Sequence, residues 1–208
     1  MPFSDKQNKI IDALQELLTK KNIRNISVSE IAQTAGVGKG SIYYYFESKE
    51  EIFNALIARS YEEPLQTAKK LVQQVEIDPF TRMAMLFQAC RNVSGLFTKG
   101  SSSNESCVNQ QEYALHREKY FRYIISEFKP VLTDIIIQAE EQGKISFEFP
   151  AALAEIALII LVVKIGNTLI PSTPEEIEET LKSFVLLLER GAKVEEGALK
   201  YIEKMYES

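Results

Sequence analysis

The chain has 208 residues, is 45% hydrophobic and 25% charged, and holds nine Gly and seven Pro; this is ordinary globular composition in one or two domains, and it excludes disordered, collagen-like and low-complexity classes. Two cysteines (Cys90, Cys107) and one histidine (His116) exclude a disulfide framework and a four-ligand zinc site, and leave little for acid–base chemistry. The net charge of −5 is uneven, +1 over residues 1–60 and −6 over residues 61–208, so the acidic body repels DNA and anionic membranes and any nucleic-acid contact must be local to the N-terminal part.

The first residues, Met1-Pro2-Phe3-Ser4-Asp5, lack the basic-then-apolar pattern of a signal peptide. Ile10, Ala13, Leu14, Leu17 and Leu18 repeat at helical spacing. Val28, Ile31, Ala32 and Ala35 repeat it, opened by Ser27 and Glu30 as a capping box. Gly36 suits a left-handed turn position, and a short segment 39–46 follows. Ser48 with Glu51 is a second capping box, opening a helix that Pro64 is expected to kink or end.

Asp78-Pro79 opens a helix to about Phe97. Residues 99–106 read as a loop. Helical patterning resumes near Glu112, with a break expected at Pro130, and stops at Gln142-Gly143. Residues 145–149 alternate weakly without a partner run. Pro150 opens a very apolar helix through Ile165. Its run Ala151–Val163 is 13 residues long, contains Glu155 and stops at Lys164; a membrane span needs about 20 apolar residues, so this is a buried helix. Thr173 and Glu176 form a third capping box, for a helix that ends at Gly191. A tail helix is expected over about 194–206. The pattern is all-α, and the chain reads as soluble and cytoplasmic with reduced thiols.

The segment 27–49 reads helix, tight glycine turn, helix. On a helical wheel with Ile42 at the origin, Phe46 and Tyr45 share its face, which can pack on the preceding helices. Gly40, Ser41, Tyr43 and Tyr44 face outward, with Lys39 at the edge of that arc. Small residues at 40 and 41 let the backbone approach a base edge, and Lys39 can donate to guanine acceptors. Tyrosine hydroxyls and Lys49 can bond phosphates, and the free N–H groups near Ser48 offer another phosphate position.

Ile31-Ala32, Ala35-Gly36-Val37-Gly38-Lys39-Gly40-Ser41-Ile42-Tyr43-Tyr44-Tyr45-Phe46-Glu47-Ser48-Lys49 and Glu50-Glu51-Ile52 resemble the DNA-binding domain of TetR-type (TetR/AcrR) transcriptional regulators. The departures are Gly38, Ser41, Ile42, Tyr44 and Glu47, where that family has Ser, Thr, Leu, His and Lys. Gly38 removes a side-chain cap, and Glu47 brings a negative charge near a phosphate position. The close resemblance covers about 50 residues. It implies a three-helix DNA-binding domain over 1–47 and a larger helical effector-binding and dimerisation domain over 48–208. It places residues 39–45 in the major groove, Lys39, Gly40 and Ser41 at bases, and Tyr43, Tyr44, Tyr45 and Lys49 at phosphates. Ser29 stands where some members reach DNA.

In the C-terminal part, Phe87, Cys90, Arg91, Phe97, Tyr113, His116, Tyr120, Phe121 and Tyr123 mix aromatic and polar groups as a small-molecule cavity does, and as a core edge does. The helices 151–165 and 177–188 are apolar on two faces and need two partners each. The second partner is another copy of the chain or the interior of one large domain. The expectation is a homodimeric repressor, released from a palindromic DNA operator by a small hydrophobic effector, without metal, cofactor, catalysis or membrane contact. A helical scaffold that kept the fold, or a helical enzyme, are the other classes.

Overall fold

Capping chemistry sets most helix boundaries in the chain, whose computed structural model describes residues 3–21, 23–98, 110–166 and 172–204 and, for 90–98, 110–117, 119–120, 165–166 and 204, the backbone alone. Helix α1 (Asp5–Leu18) opens at a capping box of Ser4 and Gln7, one turn before the apolar pattern begins. A 3-10 turn (Ile23–Asn25) leads to α2 (Val28–Ala35), capped reciprocally by Ser27 and Glu30 as expected. Gly36 has φ 64°, the left-handed value that its place after α2 requires. Helix α3 (Lys39–Tyr45) starts at Gly38 without a side-chain cap.

Helix α4 (Lys49–Gln73) follows. Ser48 Oγ accepts from the Glu51 N–H at 3.1 Å, while the Glu51 carboxylate accepts from the Glu47 N–H rather than from the cap itself. Pro64 does not end this helix, which continues to Gln73. A proline inside a helix costs about 3 kcal/mol. Burial of Leu65, Ala68 and Leu71 beyond it offsets that cost, since a large aliphatic side chain gains about 1.5–3 kcal/mol on full burial.

Helix α5 (Pro79–Thr98) is capped by Asp78, whose Oδ2 accepts from the N–H groups of Phe80 and Thr81 at 3.0 and 3.1 Å. Burial pushes the Asp78 carboxyl up, but its bonds to Lys144 and to those N–H groups outweigh burial and hold it below the usual aspartate range. Helix α6 (Gln110–Glu141) runs through Pro130 without the expected break. Phe128, Val131, Leu132, Ile135 and Ile136 are all buried around that proline, so packing overrides local propensity again. Helices α7 (Pro150–Gly166) and α8 (Pro174–Gly191) match their expected starts and stops, α8 with the Thr173–Glu176 box.

The tail departs from expectation: helix α9 spans only Tyr201–Lys204 among the described residues. Gly197 at φ 87° turns the chain, and the half-helical pattern from Val194 is spent on a turn. The Glu189 carboxylate, itself buried, accepts from the N–H groups of Gly197 and Leu199 at 2.9 and 3.2 Å.

The described residues are all-α, in two compact units: those among 3–61 with 110–119, and those among 62–98 with 120–204. In the first, α1 packs on α2 and α2 on α3, around Ile10, Ile11, Leu14, Ile26, Ile31, Ile42 and Ile52. Arg59 fastens α4 to α1, reaching Asp12 at 2.7 Å and Gln15 at 3.1 Å. In the second, α7 packs against α5 and α8, and α8 against α9. No helix among the described residues is long and apolar enough to cross a membrane.

Candidate nucleic-acid interface

Helix α3 divides as its wheel requires. Ile42 and Phe46 are buried against α2 and its surroundings. Lys39 and Gly40 are exposed, and Ser41 is half-buried. Tyr43 is 52% exposed and Tyr44 81% exposed. Tyr45 is half-buried, and its ring stands edge-on to that of Tyr44 with centroids 4.8 Å apart. That contact restrains the rotamer of an otherwise free side chain. A Cβ at Gly40 or Gly38 would meet no atom within 4 Å, so the glycines leave open space at this surface. Ser29 on α2 is exposed as well.

The charges around this face are mostly committed. Lys20 pairs with Glu16 and Lys21 with Glu30, both at 2.6 Å. Lys39 is exposed and makes no ion pair among the described residues, so its ammonium is available to an outside acceptor. Glu30 is held down at about 2 by Lys21 first, then by the N–H and hydroxyl of Ser27. Glu47 is exposed beside the start of α4.

Lys49, expected at a phosphate, is half-buried. Its Nζ donates inward, to the carbonyls of Ile23 at 2.8 Å and Ile26 at 2.9 Å.

The expected effector residues fall unevenly. Phe87 is buried and lines a small apolar cavity of about 40 Å³ inside the second unit. The other walls come from Met83 on α5, Leu132 and Ile136 on α6, Leu153 and Ala157 on α7, and the segment from Leu188 to Ile202. Phe121 and Tyr123 are half-buried on α6 and are not among the cavity walls. Burial raises the Tyr123 hydroxyl above its usual range, helped by the charges of Glu127 and Glu62. The side chains of Cys90, Arg91, Phe97, Tyr113, His116 and Tyr120, and all of Cys107, lie outside the described residues.

Sequence reasoning missed two groups here. Tyr201 is the one cavity wall with a polar side chain, and its hydroxyl is buried without a hydrogen-bond partner among the described residues. Burial, then the charge of Asp78, raises that hydroxyl well above its usual range. Arg82 is completely buried and has no carboxylate partner in the bonds described. Its Nη1 donates to the carbonyls of Leu71 and Val72 at the C-terminal end of α4 and to Gln138 Oε1. Those carbonyls are the negative end of a helix dipole, which is what holds the cation. A lone arginine or a tail tyrosine carries no sequence signal of such a role.

Four large apolar side chains stay exposed on the contacting helices α7 and α8: Ile156, Ile159, Leu186 and Leu187, the last at 70%.

The family model described as bacterial regulatory proteins, tetR family, matches residues 10–56. Over 158 residues the chain is 25% identical to the HTH-type transcriptional regulator TtgR of Pseudomonas putida, covering 74% of this chain and 75% of that one. It is 26% identical over 147 residues to the HTH-type transcriptional repressor NemR of Escherichia coli K12, covering 67% and 69%. The solved structure of a transcriptional regulator of the TetR/AcrR family from Thermobifida fusca superposes with a TM-score of 0.57, at 20% identity, over 90% of this chain and 98% of that one. That likeness speaks for the fold. Residues 10–56 therefore carry a helix-turn-helix of the tetR-family type, on an all-α body whose fold is similar to that of TetR/AcrR regulators.

Proposed function

We propose that the chain is a cytoplasmic, homodimeric repressor whose two α3 helices read a palindromic DNA operator, and that a small hydrophobic molecule releases it. The observation that carries this reading is the outward face of α3: one unpaired cation, Lys39, beside small residues and two exposed tyrosines. Lys39, Gly40 and Ser41 face the bases. Tyr43, Tyr44 and Tyr45 supply hydroxyls to phosphates, and Ser29 adds a polar group from α2. Two-fold pairing of the chains sets the spacing of the two half-sites. The activity is binding, not catalysis.

Residues 1–47 form the DNA-binding part and 48–208 the effector and dimerisation part. The exposed apolar face of α7 and α8 supports pairing of two copies, because such a patch is costly in water. The apolar lining beside Phe87, in a cavity that would have to widen to admit one, supports an uncharged or weakly anionic organic effector. Cys90, Arg91, Tyr113, His116, Tyr120 and Phe121 complete the proposed effector region. An effector acts by favouring the spacing of the two α3 helices that does not fit DNA.

A gel shift with the DNA upstream of the chain's own gene tests the reading. A retarded band that random DNA does not compete away supports it. Equal competition by random DNA contradicts it.

A further inference from the structure

Lys49 is the first residue of α4, where a cation opposes the positive end of the helix dipole. Glu50 and Glu51 in the same turn ease that conflict, but the lysine's own side chain resolves it. Its ammonium leaves the helix end and enters a half-buried cage of carbonyls: Ile23 at 2.8 Å, Ile26 at 2.9 Å and, at greater length, Arg24 at 3.5 Å. An ammonium has three protons; two are taken at good length and the third reaches the Arg24 carbonyl at the limit of bonding. All three carbonyls belong to the connection between α1 and α2. That connection ends at Ser27, the cap of α2.

The backbone carrying Lys49 is itself held, by Ser48 on the Glu51 N–H and by the Glu51 carboxylate on the Glu47 N–H. The accepting side is equally fixed. Ile23 and Ile26 have buried side chains, and the Ile26 N–H bonds the Ile23 carbonyl at 3.1 Å. Helix α2 then packs on both α1 and α3.

We propose that Lys49 is a positioning residue for DNA recognition, which pins the start of α4 to the entrance of α2 and so sets the stance of α3 without touching a phosphate. This rests on the DNA-binding reading above. It gives a displacement of α4 a route to the entrance of α2, beside the Arg59 contacts to α1.

The test uses the full chain and two duplexes of equal length, one enriched by the wild-type chain from a random library and one of random sequence. Lys49→Met keeps the stem and removes the charge. The expected result is a loss of about tenfold or more on the enriched duplex, little change on the random one, and an unchanged slope of log Kd against log salt. A phosphate contact instead predicts similar losses on both duplexes and a slope smaller by about 0.9; that outcome, or no loss at all, overturns the proposal. Lys49→Arg keeps the charge and the reach but presents a flat fork that does not converge on three carbonyls. It is expected to lose the enriched duplex too, whereas a phosphate contact would survive it.

Hydrogen exchange of the free chain provides an arm that needs no DNA. In Lys49→Met the Ile26 amide should exchange about fivefold faster or more, with the α1 amides unchanged, as local opening of the pinned turn requires. Unchanged exchange at Ile26 overturns the clamp. Faster exchange in a chain that enriches no duplex leaves the clamp standing and sinks the DNA-binding reading.

Discussion

On the proposed reading, different side chains contact the bases and maintain the fold. Lys39 is exposed and unpaired on α3, so Lys39→Ala should leave stability unchanged. On the preferred duplex it should cost about 1–3 kcal/mol, the worth of one good base contact, and on random DNA much less. Binding titrations on the two duplexes check this; equal losses would remove Lys39 from the base-reading set. Glu30 makes a pH prediction. Its folded value, about 2, lies below its ordinary value of 4.5, so its contribution to stability is complete above pH 4.5 and is lost as the pH falls from there toward 2. Denaturant titrations should show wild type losing more stability over that interval than Glu30→Gln, which has no carboxyl to protonate. The inward and outward sides of α3 were legible in the sequence, because helical spacing alone decides that Ile42 and Phe46 are covered while Tyr43 and Tyr44 are not. The direction of the Lys49 side chain was not legible. It depends on carbonyls 23 and 26 positions away in the chain, and no local pattern announces them.

At the scale of elements, the capping boxes at Ser27 and Thr173 could be read from four-residue windows, since the chemistry of a cap is local. Ser27→Ala should cost about 1 kcal/mol of stability by denaturant titration, the usual worth of such a cap. A loss near zero would mean that packing, not the box, starts α2. The prolines show the opposite case. Pro64 and Pro130 both look like helix ends, yet both sit inside helices whose neighbouring apolar residues are buried. Propensity is a local term, and the burial that outweighs it comes from partners distant in sequence. The buried Arg82 is a third case, because it joins the last carbonyls of α4 to Gln138 on α6. Arg82→Ala should destabilise the chain by about 2–4 kcal/mol, through lost packing and the orphaned carbonyls. A change within experimental error would show that those carbonyls find other donors.

At the scale of the whole molecule, an acidic chain of net charge −5 would meet a polyanion through a small near-neutral region. Leu187 is the most exposed of the four apolar residues on α7 and α8. Leu187→Glu should therefore yield monomers in sedimentation at micromolar concentration, because pairing would desolvate an unpaired carboxylate. A wild-type chain that sediments as a monomer would remove the palindrome argument with it. The effector and the DNA should also oppose each other reciprocally, each lowering the other's affinity by the same factor. Central to all of this is sequence-specific binding of duplex DNA by the α3 face. It is tested most directly by titrating the chain, at several salt concentrations, against a duplex enriched from a random library and against a random duplex. The expected result is a preference of about a thousandfold or more for the enriched duplex, with both affinities falling as salt rises. Equal affinity for the two duplexes, or an affinity indifferent to salt, would contradict it.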